Sequence, residues 1–564
     1  MFTTAAYCMM AKAVLSHYSI HVWLPELLSE TREDASTGGI QVNRRDFLAA
    51  VPATIAANTL RLPAVAPNSE PGEALAASSE SHPHEFDFGS ALQAAEAIRR
   101  RKVSSLELTR RVFERIDRYN PGLNVFAYQL REEALEQAKK ADQAPSRGSK
   151  RGVFHGVPIH VKEAFAVAGR PCTWGIVPFR NSKAPASAEV VDRLLGAGAI
   201  LIGATNVPVG LSDWQSHNPI YGTTNNPWDL KKTPGGSSGG SAAALAAGLG
   251  YLSVGSDIGG SIRVPAHFCG IYGHKPTIDL VSARGHQPGG GSGVPGFSSL
   301  MGVAGPMARD AGDLLAALQI LGGPTGWDAK AWKWEMPAPR HQRLGDFRVG
   351  YVLEQNFAPP TPGVRQVLEK TIERLGRAGA KLKPGWPAGV DPAALLSTYL
   401  FHFNAFFFSV APPAVQAAER SRWAKSQSPE AMAALSSFAD WQAQNFKRLA
   451  FRAKWQAYFD EVDVFLSPTA FSEAFAHDHS EPQDRRTIAS ASGPRRYSDL
   501  FDWIAPAALT GCPATVAPVG RTEAGLPVGI QIMGPFWEDA TPITFADLLA
   551  REIGGFAAPP NYAA

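Results

Sequence analysis

The sequence predicts an α/β protein built on one large sheet covered by helices, and three observations carry that reading. Segments at helical spacing alternate with short β-rich runs through most of the chain, as strands connected by helices do. With 564 residues, 45% of them hydrophobic and 19% charged, the chain can bury a large core. Its 53 glycines and 44 prolines call for many tight turns and close backbone approaches. Four cysteines (Cys8, Cys172, Cys269, Cys512) without a CxxC pair exclude a disulfide scaffold and a structural zinc cluster. A formal charge of +3 is too near neutral to point to nucleic acid or an anionic membrane surface.

Residues 1–76 read as an address and are set apart from the folded domain, 77–564. Arg44-Arg45 is followed at once by an apolar run, Phe47 to Leu60, shorter than the ~20 residues a membrane-crossing helix needs. The pattern resembles a twin-arginine export signal, which implies a periplasmic or extracellular location. Ala74-Leu75-Ala76 offers a cleavage site; Ala64-Val65-Ala66 is a second candidate, disfavoured by Pro67. The segment before the arginines is long and includes the mostly apolar stretch Tyr7 to Leu28, which an upstream start or an extended leader would equally explain.

From Ser90 to Asp117, Leu92, Ala95 and Ile98, then Leu106, Leu108, Val112 and Ile116, predict two helices that break around Arg101-Lys102-Val103. Ser104 or Ser105 with Glu107 reads as an N-cap and an acidic first turn. Asn120-Pro121-Gly122 reads as a turn and Arg131 to Asp142 as a helix. Gly156 to Val161 is a β-run ending at Lys162. The helix Glu189 to Ala197 precedes the strand Ile200 to Ile202, and the strand Phe347 to Tyr351 precedes the helix Val364 to Arg377. From about Gly323 to Tyr497 long helical stretches dominate, which predicts an insertion or cap. Its most aromatic segment, Tyr399 to Val410, reads as a buried helix or as the wall of an acyl pocket. Phe501 to Ala550 returns to a Gly/Pro-punctuated α/β pattern.

Pro234 to Ser241 (PGGSSGGS) opens the Ala-rich helix Ala242 to Ala247. Four glycines around two serines cost chain entropy and suit a backbone that takes unusual dihedrals or admits a ligand closely. A flexible linker would not run straight into an apolar helix, and no phosphate-loop lysine follows. In Gly255 to Pro265 (GSDIGGSIRVP) a serine follows two glycines, where converging N–H groups could face a developing oxyanion. A serine nucleophile needs a base. His267 and His274 lie near it in sequence, but neither explains the first Gly/Ser loop, and a lysine would.

GVPIHVKEAF (Gly156 to Phe165), PGGSSGGSAAALAAG (Pro234 to Gly248) and GSDIGGSIRVPAHFCGIYGHKPT (Gly255 to Thr277) together resemble the amidase signature family. Supporting segments are GATNVPVG (Gly203 to Gly210), NPIYGTTNNPWD (Asn218 to Asp229), VAGPMARD (Val303 to Asp310) and Leu509 to Gly534. The likeness covers roughly Ser90 to Leu321 and Phe501 to Arg551 and is weak between them. It implies a large mixed β-sheet with helices on both faces, and an amidase domain at 77–564 with a substrate-shaping region at about 323–497. It implies that Ser261 is the acyl nucleophile, Ser237 a bridging serine behind a cis peptide, and Lys162 the base, neutral at working pH against a free value near ~10.4.

By the same resemblance the backbone N–H groups of Ile258, Gly259, Gly260 and Ser261 form the oxyanion hole, while Ser238, Asp257 and Arg263 hold the two loops together. Leu211, Trp214 and Trp174 are candidates for lining the pocket, and His160 packs. His477-Asp478-His479 reads as a polar loop, and the implied chemistry needs neither metal nor cofactor. The expected partner is a small-molecule amide, with no nucleic acid and no stable membrane insertion; a homodimer is left open. The competing functions are the glutaminase component of a tRNA-dependent amidotransferase, a hydrolase acting mainly on esters or carbamates, and a non-catalytic binding protein.

Overall fold

In the computed structural model, described for residues 83–144, 151–291, 300–411, 413–426, 429–490 and 493–563, the alternation resolves into one mixed sheet of eleven strands. In chain order these are β1 (Phe126–Gln129), β2 (Pro158–Lys162), β3 (Ile200–Thr205), β4 (Leu252–Asp257), β5 (Tyr272–Lys275), β6 (Val303–Ala308), β7 (Arg348–Tyr351), β8 (Lys381–Pro384), β9 (Val464–Pro468), β10 (Ala514–Arg521) and β11 (Pro527–Met533). Across the sheet they run β1-β3-β2-β4-β6-β5-β10-β11-β9-β7-β8. Strands β3, β2 and β4 pair in parallel, as do β9, β7 and β8, and the centre is antiparallel. Every residue of β2, β3 and β4 is buried, as expected of parallel strands covered on both faces. The edge strand β8 carries Lys381, Lys383 and Pro384, which discourage pairing with another chain. The twin arginines, both cleavage sites and Cys8 lie outside the described residues.

Ser104 caps the helix Ser105–Leu123, and its N–H donates to Glu107 Oε2 at 2.8 Å in a reciprocal capping box. The helix does not stop at the expected Asn120-Pro121-Gly122 turn. It runs to Leu123 and ends at Asn124, whose φ of 51° is left-handed. A proline this close to the end removes little from the helical ladder, and Val125 N–H is taken by Asn120 Oδ1 at 2.8 Å.

Five helices matter for the site: α1 (Gly239–Ala246), α2 (Arg263–Cys269), α3 (Pro392–Ser409), α4 (Phe438–Phe459) and α5 (Phe501–Thr510). The middle region holds the helix Pro362–Arg377 and a run of helices from 392 to 459; β7, β8 and β9 come from the same region and belong to the main sheet, so it is no separate insertion. One core fills the sheet and its covering helices. A second, rich in aromatic side chains, joins Tyr399 and Phe403 of α3, Trp455 and Phe459 of α4, Trp503 and Ile504 of α5, and Val264 and Phe268 of α2. Among the described residues no helix is long and apolar enough to cross a membrane.

Helix α1 is buried along its whole length. Glycine is required at its start: a Cβ on Gly240 would lie 2.6 Å from both the N and O of Asn206 and 2.9 Å from Val125 O. These are backbone atoms that cannot swing aside. Gly240→Ala should therefore cost about 1–3 kcal/mol or more, read as a lower urea midpoint. Gly196→Ala, where nothing lies within 4 Å, should be neutral or slightly stabilising.

Candidate active site

Parallel pairing of β2 with β4, in the register His160 to Ser253 and Val161 to Val254, brings Lys162 and the Ser256-Asp257 end of β4 to one edge of the sheet. The Lys162 amine is fully buried there. It donates to Ser237 Oγ at 2.7 Å and to Ser256 Oγ at 2.9 Å. Burial lowers its pKa to about 7, against a weaker opposing pull from the Asp257 charge. Ser237 follows a cis Gly236-Ser237 peptide. Gly236 is pressed against the 213–214 backbone, where a Cβ would lie 2.3 Å from Asp213 O.

Ser261 stands between β4 and α2 and is 7% exposed. The two Gly/Ser loops are tied directly: Ser238 N–H donates to Ser261 O at 3.1 Å, and Ser238 Oγ–H donates to Ser256 O at 3.4 Å. Asp257 organises the turn before α2. Its carboxylate accepts from the N–H of Gly260 at 2.9 Å and of Ile262 at 3.1 Å, and from Arg263 Nε at 3.0 Å and Nη2 at 2.9 Å. Burial alone would push this carboxyl up, but the Arg263 charge and these hydrogen bonds hold it at about 2. Arg263 Nη1 reaches on to Ile504 O at 2.8 Å and Gln531 Oε1 at 2.7 Å.

The oxyanion-hole expectation needs one correction. Gly260 N–H is taken by Asp257 Oδ1, so it cannot also face an acyl oxygen. The N–H groups of Ile258, Gly259 and Ser261 have no protein acceptor among the described residues. From the other side, Trp214 Nε1–H donates to Gly259 O at 2.9 Å and Tyr399 Oη–H to Ile258 O at 3.1 Å. Trp214 is thus a buried prop under the loop, packed against Phe501 with ring centroids 4.5 Å apart.

Trp174 is also mostly buried. Its N–H donates to Glu163 Oε2 at 2.9 Å, its indole N–H to Ala164 O at 3.1 Å, and Gly210 N–H donates to Trp174 O at 2.8 Å, which places Leu211 beside it. Trp174 and Leu211 both have left-handed φ, 53° and 59°. The His160 ring is buried, its Nδ1 paired with Ser253 Oγ at 3.0 Å. His267 accepts from Gly529 N–H at 2.7 Å through Nδ1 and donates to Ser472 O at 3.1 Å. His274 pairs with Thr515 Oγ1 at 2.9 Å and Asp539 Oδ1 at 3.1 Å. The rings of both histidines are therefore committed to the fold. His479 stacks on His217 with centroids 3.9 Å apart and lies 5.5 Å from His477.

Sequence reasoning gave no role to Ser256, Glu163 or Tyr399. Ser256 lies inside a singled-out segment, and only the parallel strand register reveals that it faces Lys162. Glu163 is fully buried and accepts the N–H groups of Thr173 and Trp174 and the Tyr221 hydroxyl; burial raises its pKa to about 7. Tyr399 belongs to the aromatic segment, but its hydroxyl contact spans 141 residues and leaves no local signal.

A fold of this kind hosts many chemistries, and it is likeness to known proteins that makes this chain an amidohydrolase. The Amidase family pattern matches residues 107–542. A glutamyl-tRNA(Gln) amidotransferase component from a Cyanothece species is 30% identical over 471 residues, 76% of this chain and 91% of that protein. Indoleacetamide hydrolase of Bradyrhizobium diazoefficiens is 31% identical over 468 residues, 80% of this chain and 84% of that protein. The structure of a bacterial aryl acylamidase shares the fold with a TM-score of 0.68 at 21% identity, over 84% of this chain and 98% of its own. The chain belongs to the amidase signature family.

Removing one member of the buried Arg263–Asp257 pair leaves a charge without its counter-charge. Asp257→Asn should cost about 3–5 kcal/mol at neutral pH, measured by urea unfolding. Because the folded carboxyl is held near 2, below the ~3.9 of an unfolded aspartate, the wild-type advantage should be complete above about pH 4 and shrink as pH falls toward 2.

Proposed function

We propose that the protein hydrolyses a carboxylic amide to acid and amine or ammonia through an acyl-enzyme on Ser261. The observation that carries this reading is the fully buried Lys162 amine 2.7 Å from Ser237 Oγ, with a pKa lowered to about 7. Neutral Lys162 draws a proton from the Ser237 hydroxyl, which draws one from Ser261 as its Oγ attacks the acyl carbon. The oxyanion is received by the N–H groups of Gly259, Ile258 and Ser261. On collapse the C–N bond breaks, and the proton returns from Lys162 through Ser237 to the leaving nitrogen. Water then attacks the ester by the same proton path and frees the acid. The half-buried Ile258, Phe407 and Phe501, with Phe403 packed 4.8 Å from both Phe407 and Phe501, suit an apolar acyl group.

A second reading is the glutaminase component of an amidotransferase, favoured by the Cyanothece relative. A substrate panel separates the two: higher kcat/KM for arylacyl or alkyl amides than for glutamine supports the first, and ammonia released from glutamine alone supports the second.

Ser261→Ala should be inactive yet folded, and a fluorophosphonate adduct should map to Ser261; an adduct on Ser237 would contradict the assignment. Since the base form of Lys162 exists above its pKa, kcat/KM should rise with pH through about 7 and then level off. Lys162→Ala should lose about 10²–10⁴-fold and lack that ionisation.

The twin-arginine segment supports export as the location. Replacing Arg44 and Arg45 with Lys should then retain active, uncut protein in the cytoplasm, whereas undiminished export of that variant, read by fractionation and N-terminal sequencing, would refute it.

A further inference from the structure

The loop carrying Ile258 to Ser261 is held from behind by two side chains remote in sequence, and the manner of holding differs between successive peptides. In a trans peptide the C=O and N–H point in opposite directions, so a donor fixed on the oxygen sets the direction of the hydrogen. The Gly259–Gly260 peptide is pinned at both ends: Trp214 Nε1–H donates to its oxygen at 2.9 Å, and its N–H donates to Asp257 Oδ1 at 2.9 Å. The Ile258–Gly259 peptide is held only at its oxygen, by Tyr399 Oη–H at 3.1 Å. Its N–H, on buried Gly259, has no protein acceptor among the described residues. Buried N–H groups without an acceptor are rare, and this one faces away from Tyr399. The loop is tightly packed at 259: a Cβ there would lie 3.0 Å from Phe501, 3.4 Å from Phe403 and 3.5 Å from the Tyr399 hydroxyl.

We propose that Tyr399 is a positioning residue that aims the Gly259 N–H at the acyl oxygen, with Trp214 a secondary support one peptide further on. The proposal rests on the acyl-enzyme reading above. It ties α3, in the helical middle region, to the rate of the chemical step as well as to the shape of the pocket. Without the Tyr399 hydroxyl the Ile258–Gly259 peptide is free to rotate, and the donor is lost from the transition state while ground-state contacts remain.

The test is Tyr399→Phe and Trp214→Phe in the full chain, with active sites counted by fluorophosphonate labelling and kcat and KM measured per labelled site on the best amide of the panel. Tyr399→Phe should lower kcat by about tenfold or more, leave KM within about twofold, and leave the ionisation near 7 unmoved. Trp214→Phe should lose less, because Asp257 still holds that peptide. Should the phenylalanine variant not accumulate, Tyr399→Met removes the same hydroxyl and gives the same readout. Full kcat per labelled site, a loss confined to KM, or a smaller effect at Tyr399 than at Trp214 would overturn the proposal. A wild type inert on every amide and unlabelled at Ser261 would instead overturn the acyl-enzyme reading. Full activity in Tyr399→Phe beside a silent Ser261→Ala would remove the positioning role alone.

Discussion

An ammonium ion gives up its hydration when it is buried, and the Lys162 amine is buried completely at the end of β2 between two parallel neighbours. The remainder of the site is arranged so that this group can be neutral. Its immediate partners are the hydroxyls of Ser237 and Ser256, which can donate as well as accept. The Asp257 charge that acts on it would favour the ammonium form if left alone. Arg263 takes that carboxylate in a two-nitrogen grip, so the pair is neutral as a unit and the lysine feels only a residue of it. The arrangement works against stability. Between about 7 and the ~10.4 of an unfolded lysine, the unfolded chain holds a proton that the folded chain does not. Stability therefore rises with pH across that window, and the full cost of the buried amine is present below it.

Holding the lysine is a matter of strands; holding the serines is a matter of loops that must not move. Each Gly/Ser segment is fastened to something other than itself. The first is pressed on the 213–214 backbone, and the second is anchored through Arg263 to Ile504 and Gln531 on α5 and β11. Ser238 then joins the two, through its N–H to Ser261 O and its hydroxyl to Ser256 O. Distant parts of the chain thus converge on a few atoms, and the sheet order places β2 and β4 side by side to receive them.

What could be read in the sequence follows the range of the interactions. Ser237 and Ser261 sit in Gly/Ser-rich segments that stand out by composition, whereas Lys162 ends an ordinary β-run and is singled out only by the resemblance to the amidase signature family. An N-cap at Ser104 or Ser105 before Glu107 is equally plain, since its contacts span three residues, and the structure places it at Ser104. The turn at Pro121 was misplaced because a proline's effect depends on how near the helix end it falls. Gly260 was counted as an oxyanion donor because all four amides look alike in sequence; only the Asp257 contact distinguishes it. In the middle region β7 is legible as the run Phe347 to Tyr351, whereas β8 and β9 are concealed because short strands lack the periodicity that long helices display. Tyr399 was visible as an aromatic and invisible as a donor, since its acceptor is a backbone oxygen in another part of the chain.

Cys172, Cys269 and Cys512 are free and buried. Burial pushes the Cys512 thiol up to about 11 and holds Cys172 and Cys269 well above the usual thiol range. The thiolate is the form that exchanges and oxidises, so at neutral pH these sulfurs are chemically silent. The described part of the fold can accordingly be assembled against a glutathione-rich milieu and then stand in an oxidising one with no change of covalent bonding. Its stability is indifferent to redox potential.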